Sequence, residues 1–240
     1  MNCRGLFLCR IFAEVLNRIL HIETSTKNCS VSISENGTLL HLKELNTGGY
    51  SHAEKLHPFI QDCLQESNLS IKDIDAIAVG KGPGSYTGLR IGVSAAKGLC
   101  FSNDIPLIAI NSLEILSQSC QIDEGVIIPM IDARRMEVYS AIFDKDHSWI
   151  RPTEAEIIDE HSFSQILEEN TVYFLGDGAE KCKEVIQHSN ARFIDHAFPS
   201  AKEMVAIAYQ KYLNKDFEDV AYFEPYYLKD FVATPEKKKS

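Results

Sequence analysis

The sequence predicts an α/β protein built from two similar lobes. Short apolar segments alternate with segments whose apolar residues recur at helical spacing, which is typical of strands alternating with amphipathic helices. A strand, a polar turn and a second strand open the pattern at Ile19, and the same order returns at Val126. With 240 residues, the chain is long enough for one large domain or two small lobes.

The predicted first lobe alternates strands and helices. Segment 19–34 predicts two strands around a polar turn, because Val31 and Ile33 alternate with serines in its second half. On a helix predicted at 51–67, one apolar stripe contains Leu56, Phe59, Ile60, Cys63 and Leu64. The other predicted elements are strands at 39–45, 74–79 and 107–110 and helices at 87–101 and 113–119.

The predicted second lobe repeats the opening of the first. Two strands, 126–131 and 136–143, flank a polar turn, and a third strand is predicted at 172–175. Gly176-Asp177-Gly178 then leads into a predicted helix that ends at His188, and a last amphipathic helix is predicted at 201–213.

These elements divide the chain into expected lobes at 19–122 and 123–240, with the last helix free to pack back on the first lobe. Residues 1–18 are expected to be a disordered extension or the result of a start codon placed too early. Arg10 and Glu14 interrupt their apolar stretch and no small-residue cleavage site follows, which argues against a signal peptide.

Composition excludes several classes of protein. No apolar run approaches the roughly 18 residues that a membrane helix needs, so no membrane association is expected. With 24 Lys and Arg against 34 Asp and Glu, the net charge of −10 disfavours stand-alone binding to nucleic acid. The seven cysteines are scattered without a C-x-x-C pair, which fits reduced thiols and a cytoplasmic protein.

The segment from Gly82 to Arg90 has the most specific pattern, because GPGSYTGLR lies between a predicted strand and a predicted helix. Glycines allow close backbone approach, and a helix start can bind a phosphate or carboxylate. The alternative is a tight turn with Ser85 or Thr87 as the helix N-cap. The segment matches neither the P-loop nor the G-x-G-x-x-G pattern.

The helix after this turn carries a small-residue face formed by Gly88, Gly92 and Ala96. Each interior glycine costs a helix about 1 kcal/mol relative to alanine, so close approach of another backbone is expected to offset that cost. The neighbour is either the protein's own sheet or a partner helix.

Three other groups of polar residues give weaker signals. Asp132 with Arg134 and Arg135 could position an anion or form a solvated turn. Gly176-Asp177-Gly178 resembles a reduced nucleotide-binding turn. His52 and His57 lie five residues apart, which does not place two imidazoles on one helical face, so no metal site is expected there.

Several segments together resemble the TsaB family, whose members are subunits of the bacterial machinery for the threonylcarbamoyladenosine modification of tRNA. The matching segments are ILHIETSTKNCSVSI, VGKGPGSYTGLRIGVSAAKGL, IPMIDARRMEVYSAIF, FLGDGA and EPYYLKD, spread over about residues 19–230. The resemblance implies an actin-like fold in two lobes and a non-catalytic role. It also implies a TsaD-like catalytic partner, a TsaE-like ATPase, a possible homodimer through the same face, and contact with tRNA only through the complex.

The resemblance also implies two sets of site residues. A vestigial nucleotide site, with weak binding and no required cofactor, would contain Glu23, Thr24, Ser25, Gly82, Gly84 and Ser85. A partner interface on the helices of the first lobe would contain His52, Leu56, Gly88, Gly92 and Ala96. Glu23 departs from the aspartate that is usual in the family, which weakens a nucleotide role for its turn.

Catalytic relatives carry a metal-binding His-x-Glu-Gly-His segment after the glycine turn and its helix. Ser112 and Leu116 occupy the two histidine places here, and only Glu114 remains. Leucine cannot bind a metal and a serine hydroxyl is a poor ligand, so no metal and no catalytic residue are expected. The alternatives are a stand-alone ATP-dependent phosphotransferase of the same fold and a metal-dependent peptidase, and the second lacks any H-E-x-x-H pattern.

Overall fold

The computed structural model describes residues 16–46, 49 and 51–229. Most of residues 1–18, which the sequence predicts to be a disordered extension, lie outside the described residues. The described chain forms two five-stranded mixed sheets and five α-helices. None of the described helices is long and apolar enough to cross a membrane.

The first sheet has the strand order β3-β2-β1-β4-β5. Its strands are β1 (Arg18–Glu23), β2 (Cys29–Glu35), β3 (Thr38–Leu45), β4 (Ala76–Gly82) and β5 (Leu107–Asn111). The first three strands pair antiparallel, and β4 and β5 continue the sheet in parallel to β1.

The second sheet has the same order, β8-β7-β6-β9-β10. Its strands are β6 (Val126–Asp132), β7 (Glu137–Asp144), β8 (Trp149–Ile157), β9 (Val172–Leu175) and β10 (Ala191–Ile194). Again three antiparallel strands are followed by two parallel ones. The predicted two-lobe α/β architecture is therefore confirmed, and the lobes share one topology.

The five α-helices are α1 (His52–Glu66), α2 (Tyr86–Asn103), α3 (Ser112–Ser117), α4 (Ser164–Glu169) and α5 (Val205–Leu213). Helix α4 contributes Leu167 to the core of the second sheet, whereas other helices cover both faces of the first sheet. Helices α1 and α2 bury Leu56, Ile60 and Val93 against one face of this sheet. On the other face, Ala208 of α5 and Met204, the N-cap residue of this helix, pack in one cluster with Ile19.

The last helix therefore packs on the first lobe, although it follows the second lobe in sequence. Two hydrogen bonds fix the returning chain on β2: Ser32 Oγ donates to the Ala201 carbonyl at 2.9 Å, and the Ala201 N–H donates to Ser30 Oγ at 2.8 Å. The helix begins at Val205 rather than at 201, because residues 201–204 form turns.

The structure corrects the element predicted after Gly178. No long helix extends to His188, and the segment instead contains turns and a short 3-10 helix at Glu180–Cys182. Its backbone hydrogen bonds mostly span three residues, as from Cys182 N–H to Ala179 O at 3.0 Å. The apolar side chains of this segment still pack into the core of the second lobe without a regular helix, because Ala179, Cys182 and Ile186 are all buried there.

Candidate functional site

The candidate site lies where the β1–β2 turn meets the glycine turn that follows β4. The Ser85 N–H donates to the Ser25 carbonyl at 2.7 Å, and Thr24 Oγ1 donates to the Gly88 carbonyl at 2.8 Å. Ser85 is the N-cap of α2, because its Oγ accepts the Gly88 N–H at 3.3 Å. The two turns are thus hydrogen-bonded to each other, and the N-cap interpretation is confirmed for Ser85.

Glycine is needed at this junction because the two backbones touch. A Cβ on Gly84 would overlap the Ser25 carbonyl, and one on Gly88 would overlap the Thr24 carbonyl. Real Cβ atoms do not approach oxygen that closely, so the glycines make the contact possible.

Glu23 lies at the bottom of this junction with no solvent exposure. Its Oε1 accepts the Ser25 N–H at 2.5 Å, and a Cβ on Gly80 would overlap its carboxylate. Burial raises the pKa of Glu23 from 4.5 to about 7, against the opposing effect of hydrogen bonds from Ser25 and Thr24. The carboxyl is therefore enclosed by the protein's own residues.

The structure brings together five of the six residues predicted for a vestigial nucleotide site. Glu23, Thr24 and Ser25 are buried, and Gly84 and Ser85 contact Ser25. A Cβ on the sixth residue, Gly82, would instead meet Leu89 and the Tyr226 carbonyl. Apart from Glu23 Oε2, which is buried without a hydrogen-bond partner among the described residues, the polar groups described above bond within the chain, so the arrangement is that of two turns packed together. Nucleotide binding at these residues stays a prediction.

The five residues predicted as a partner interface are buried inside this chain, so they offer no exposed surface to a partner. Their role as a partner interface stays a prediction. Leu56 has no exposure and His52 is only 2% exposed, with its Nε2 at 2.7 Å from the Thr26 carbonyl. Gly88, Gly92 and Ala96 are buried on the inner side of α2. The small-residue face accommodates Thr24, which is the alternative in which the neighbour is the protein's own sheet.

The opposite side of α2 is exposed, and the sequence interpretation missed it. Phe101 is 86% exposed, and a Cβ on Gly98 would meet nothing within 4 Å. Ile91 and Ala95 are half-buried between this side and the core. We name these four residues, with the half-buried Phe59 of α1, the outer helical face. The signal that could have found it is the position of Gly98 and Phe101, which helical spacing places on the side of α2 away from Gly92 and Ala96, with Ile91 and Ala95 at the border.

Helix α3 carries the residues that replace the metal ligands of catalytic relatives. Ser112 and Leu116 are fully buried, and Leu116 packs with Ile127 and Leu175 of the second sheet. Glu114 is half-buried, and burial raises its pKa. Among the described residues, no three His, Cys, Asp or Glu side chains are arranged to hold a metal ion.

The second-lobe turn Gly176-Asp177-Gly178 packs on the end of β6. A Cβ on Gly178 would press on the backbone of Ile131 and Asp132, and Asp177 Oδ1 accepts the Asp132 N–H at 3.0 Å. Burial is the main reason that the pKa of Asp177 is raised. This turn thus repeats in the second lobe the contact that the glycine turn makes in the first.

Comparison with known proteins identifies the family. The model for "TsaD: tRNA N6-adenosine threonylcarbamoyltransferase" matches residues 47–237. The Escherichia coli K12 protein named tRNA threonylcarbamoyladenosine biosynthesis protein TsaB is 34% identical over 225 residues, which cover 90% of this chain and 96% of the relative. The Haemophilus influenzae protein of the same name is 29% identical over 225 residues, covering 89% of this chain and 94% of the relative.

Two solved Pseudomonas aeruginosa structures share the fold. One is described as an uncharacterized protein with similarity to peptidase YeaZ, with a TM-score of 0.76, 25% identity, and coverage of 89% of this chain and 100% of that one. The other is YeaZ, with a TM-score of 0.71, 25% identity, and coverage of 88% and 100%. The predicted two-lobe α/β fold is therefore the fold of these solved structures. The chain belongs to the TsaB family of tRNA threonylcarbamoyladenosine biosynthesis proteins.

Proposed function

We propose that the chain is a non-catalytic subunit of the complex that makes threonylcarbamoyladenosine in tRNA. In this role it binds and activates a TsaD-like catalytic subunit and acts together with a TsaE-like ATPase. The observation that carries the non-catalytic role is the contact between the β1–β2 turn and the glycine turn, which uses Ser25, Thr24 and Ser85 within the chain.

The replaced metal ligands support the same role. Leu116 contributes its side chain to a core cluster between α3 and the second sheet, where a histidine would have to reach a metal. A hydroxyl and an aliphatic side chain at Ser112 and Leu116 leave Glu114 without companions that could hold a divalent ion.

The outer helical face supports a protein partner on the first lobe. An aromatic side chain that is 86% exposed, as Phe101 is, is a common anchor at protein interfaces. The open space above Gly98 lets a partner helix approach the α2 backbone closely. We propose that the TsaD-like subunit binds here and that a second copy of this chain uses the same face when the subunit is absent.

Reconstitution tests this function. The purified chain is combined with the TsaD-like and TsaE-like proteins of its host, and threonylcarbamoyl transfer to tRNA and ATP hydrolysis are measured with each component left out in turn. We expect neither activity from the chain alone and a large loss of transfer when it is omitted. Transfer that proceeds equally well without the chain would contradict the proposal. ATP turnover by the chain alone would favour the phosphotransferase alternative.

A further inference from the structure

The turn between β6 and β7 places two arginines in a strained backbone conformation. Arg134 has φ of 73° and Arg135 has φ of 52°, in the left-handed region that residues other than glycine, asparagine and aspartate rarely adopt. The turn is nevertheless closed by regular bonds, with the Ala133 N–H donating to Glu137 O and the Glu137 N–H donating to Arg134 O, both at 3.1 Å. Positive φ at the central residues is usual in tight hairpin turns, and other turns of this structure share it, so the conformation defines the shape of the turn and the side chains must carry any role.

Both guanidinium groups are exposed, and neither has a hydrogen-bond or ion-pair partner within the part of the chain that the structure describes. The arginines therefore do not stabilise the fold through their side chains. Their side chains instead present planar sets of donors to solvent, a geometry that matches phosphate and carboxylate groups.

The surroundings of the turn are basic, in contrast to the acidic protein as a whole. The basic groups that contact the turn or act on the pKa of its neighbours are Lys27, Arg134, Arg135, Lys181 and Lys229. The acidic groups are Asp132, Glu137 and Asp177.

Two of the three carboxylates of this group are neutralised by ion pairs. Lys181 binds Asp132, and Lys229 binds Glu137. Asp177 is half-buried, and both Lys27 and Lys181 act electrostatically on its carboxyl group. The two arginines are thus left with positive charge that no ion pair neutralises among the described residues, although the net charge of the chain is −10.

We infer that this basic turn contacts the phosphate backbone of the tRNA when the complex holds its substrate. The inference rests on the proposed function, because it assigns a substrate contact to the same complex. A phosphate contact needs only charged donors, whereas a protein interface normally also buries large apolar side chains. None of the exposed large apolar side chains in the described ranges belongs to residues 132–136, although Ile157, which pairs with Glu137 on β8, is 74% exposed beside the turn. We commit to RNA because the groups that the turn itself presents are two unpaired guanidinium groups.

A double substitution separates charge from folding. Arg134→Asn with Arg135→Gly, the uncharged variant, removes both charges and supplies the residues that adopt positive φ most easily, so we expect the melting temperature to rise by about 2–4 °C. Arg134→Lys with Arg135→Lys, the charge-keeping variant, retains both positive charges. Lys72→Gln with Lys215→Gln is the matched control, because both lysines are exposed, unpaired among the described residues and outside the basic turn.

Binding of tRNA is measured in two settings. The chain alone is titrated with tRNA at low salt, about 20 mM, and the complex with the TsaD-like and TsaE-like subunits is titrated from about 50 to 200 mM salt. We expect the uncharged variant to bind at least about tenfold more weakly, and the slope of log affinity against log salt to fall by about 1 for each phosphate that the variant no longer binds. The charge-keeping variant should keep the slope, and the control should lose much less affinity.

Each outcome decides the inference. Equal tRNA affinity and an equal salt slope for the parent chain and the uncharged variant would overturn it. Loss of assembly with a protein subunit at unchanged tRNA affinity would also overturn it and assign the turn to a protein contact. If the parent chain forms no complex at all, the proposed function fails, while the low-salt titration of the chain alone still tests the turn.

Discussion

The two lobes repeat one strand order but use the corresponding turns in opposite ways. In the first lobe the turn after β1 is buried, and Thr24, Ser25 and Thr26 are covered by the glycine turn. In the second lobe the turn after β6 is exposed and ends in Arg134 and Arg135. The two lobes thus share one topology, whereas the side chains at the equivalent turns differ, so that the first turn is buried and the second is exposed.

The closed junction of the first lobe depends most on Gly88. Gly88→Val would drive a branched side chain into the Thr24 carbonyl, so we expect the free energy of unfolding to fall by about 3 kcal/mol. Gly98→Val is the matched control on the same helix, since a Cβ there meets nothing within 4 Å. It should change stability by no more than about 0.5 kcal/mol. Urea unfolding of both variants checks this, and equal effects would show that the junction is not tightly packed.

The buried acid of the first lobe should make stability depend on pH. The pKa of Glu23 is raised from 4.5 to about 7 in the folded protein, so its contribution is complete below pH 4.5 and is lost as the pH rises through 7. In the parent chain, the free energy of unfolding should fall by about 2–3 kcal/mol between pH 5 and pH 8 because of Glu23, and Glu23→Gln should abolish this fall. The comparison with the parent chain isolates Glu23 from His21, whose pKa is lowered to about 3 by burial and whose effect has the opposite sign.

Urea unfolding at the two pH values measures this effect. Asp177→Asn provides the counterpart in the second lobe, because the pKa of Asp177 is also raised by burial. Asp177→Asn should also reduce the fall in stability with rising pH, but by less than Glu23→Gln, because Asp177 lies near Lys27 and Lys181. An unchanged pH dependence in Glu23→Gln would contradict the enclosed, protonated carboxyl.

A smaller effect is expected where the two lobes are joined by an ion pair. Lys229 follows a segment that is anchored on the first lobe through the Tyr226 N–H and the Lys81 carbonyl at 2.7 Å, and it binds Glu137 of the second. Both side chains are partly exposed, so Lys229→Gln should lower the free energy of unfolding by less than about 1 kcal/mol. A larger loss, measured by urea unfolding in low and high salt, would mean that this link holds the lobes together.

The sequence predicted those features that repeat locally. The apolar stripe of α1 and the two strand–turn–strand openings follow from periodicity, and each appears in the structure. Strand β8 was missed because it is an edge strand with Pro152 and alternating charged residues, as Glu154 and Glu156 illustrate. Edge strands tolerate proline and polar residues that would argue against a central strand.

The sequence identified residues of the candidate site but not the residues that they contact. The small residues at Gly88 and Gly92 correctly indicated that another group approaches α2 closely. Spacing within one helix cannot tell which group that is, and the structure identifies it as Thr24, distant in sequence. The exposure of Phe101 likewise follows only from how α1 and α2 pack together on the sheet.

The affinity of the chain for the TsaD-like subunit tests the central claim most directly. Gly98→Leu places a side chain on the outer helical face without meeting any atom of the chain itself, so the melting temperature should stay within a few degrees of the parent value. Overpacking of a fitted contact costs about 1–3 kcal/mol, which would weaken the complex roughly 5- to 150-fold in a calorimetric titration. A Gly98→Leu protein that folds normally and binds the TsaD-like subunit as tightly as the parent would show that the subunit binds elsewhere.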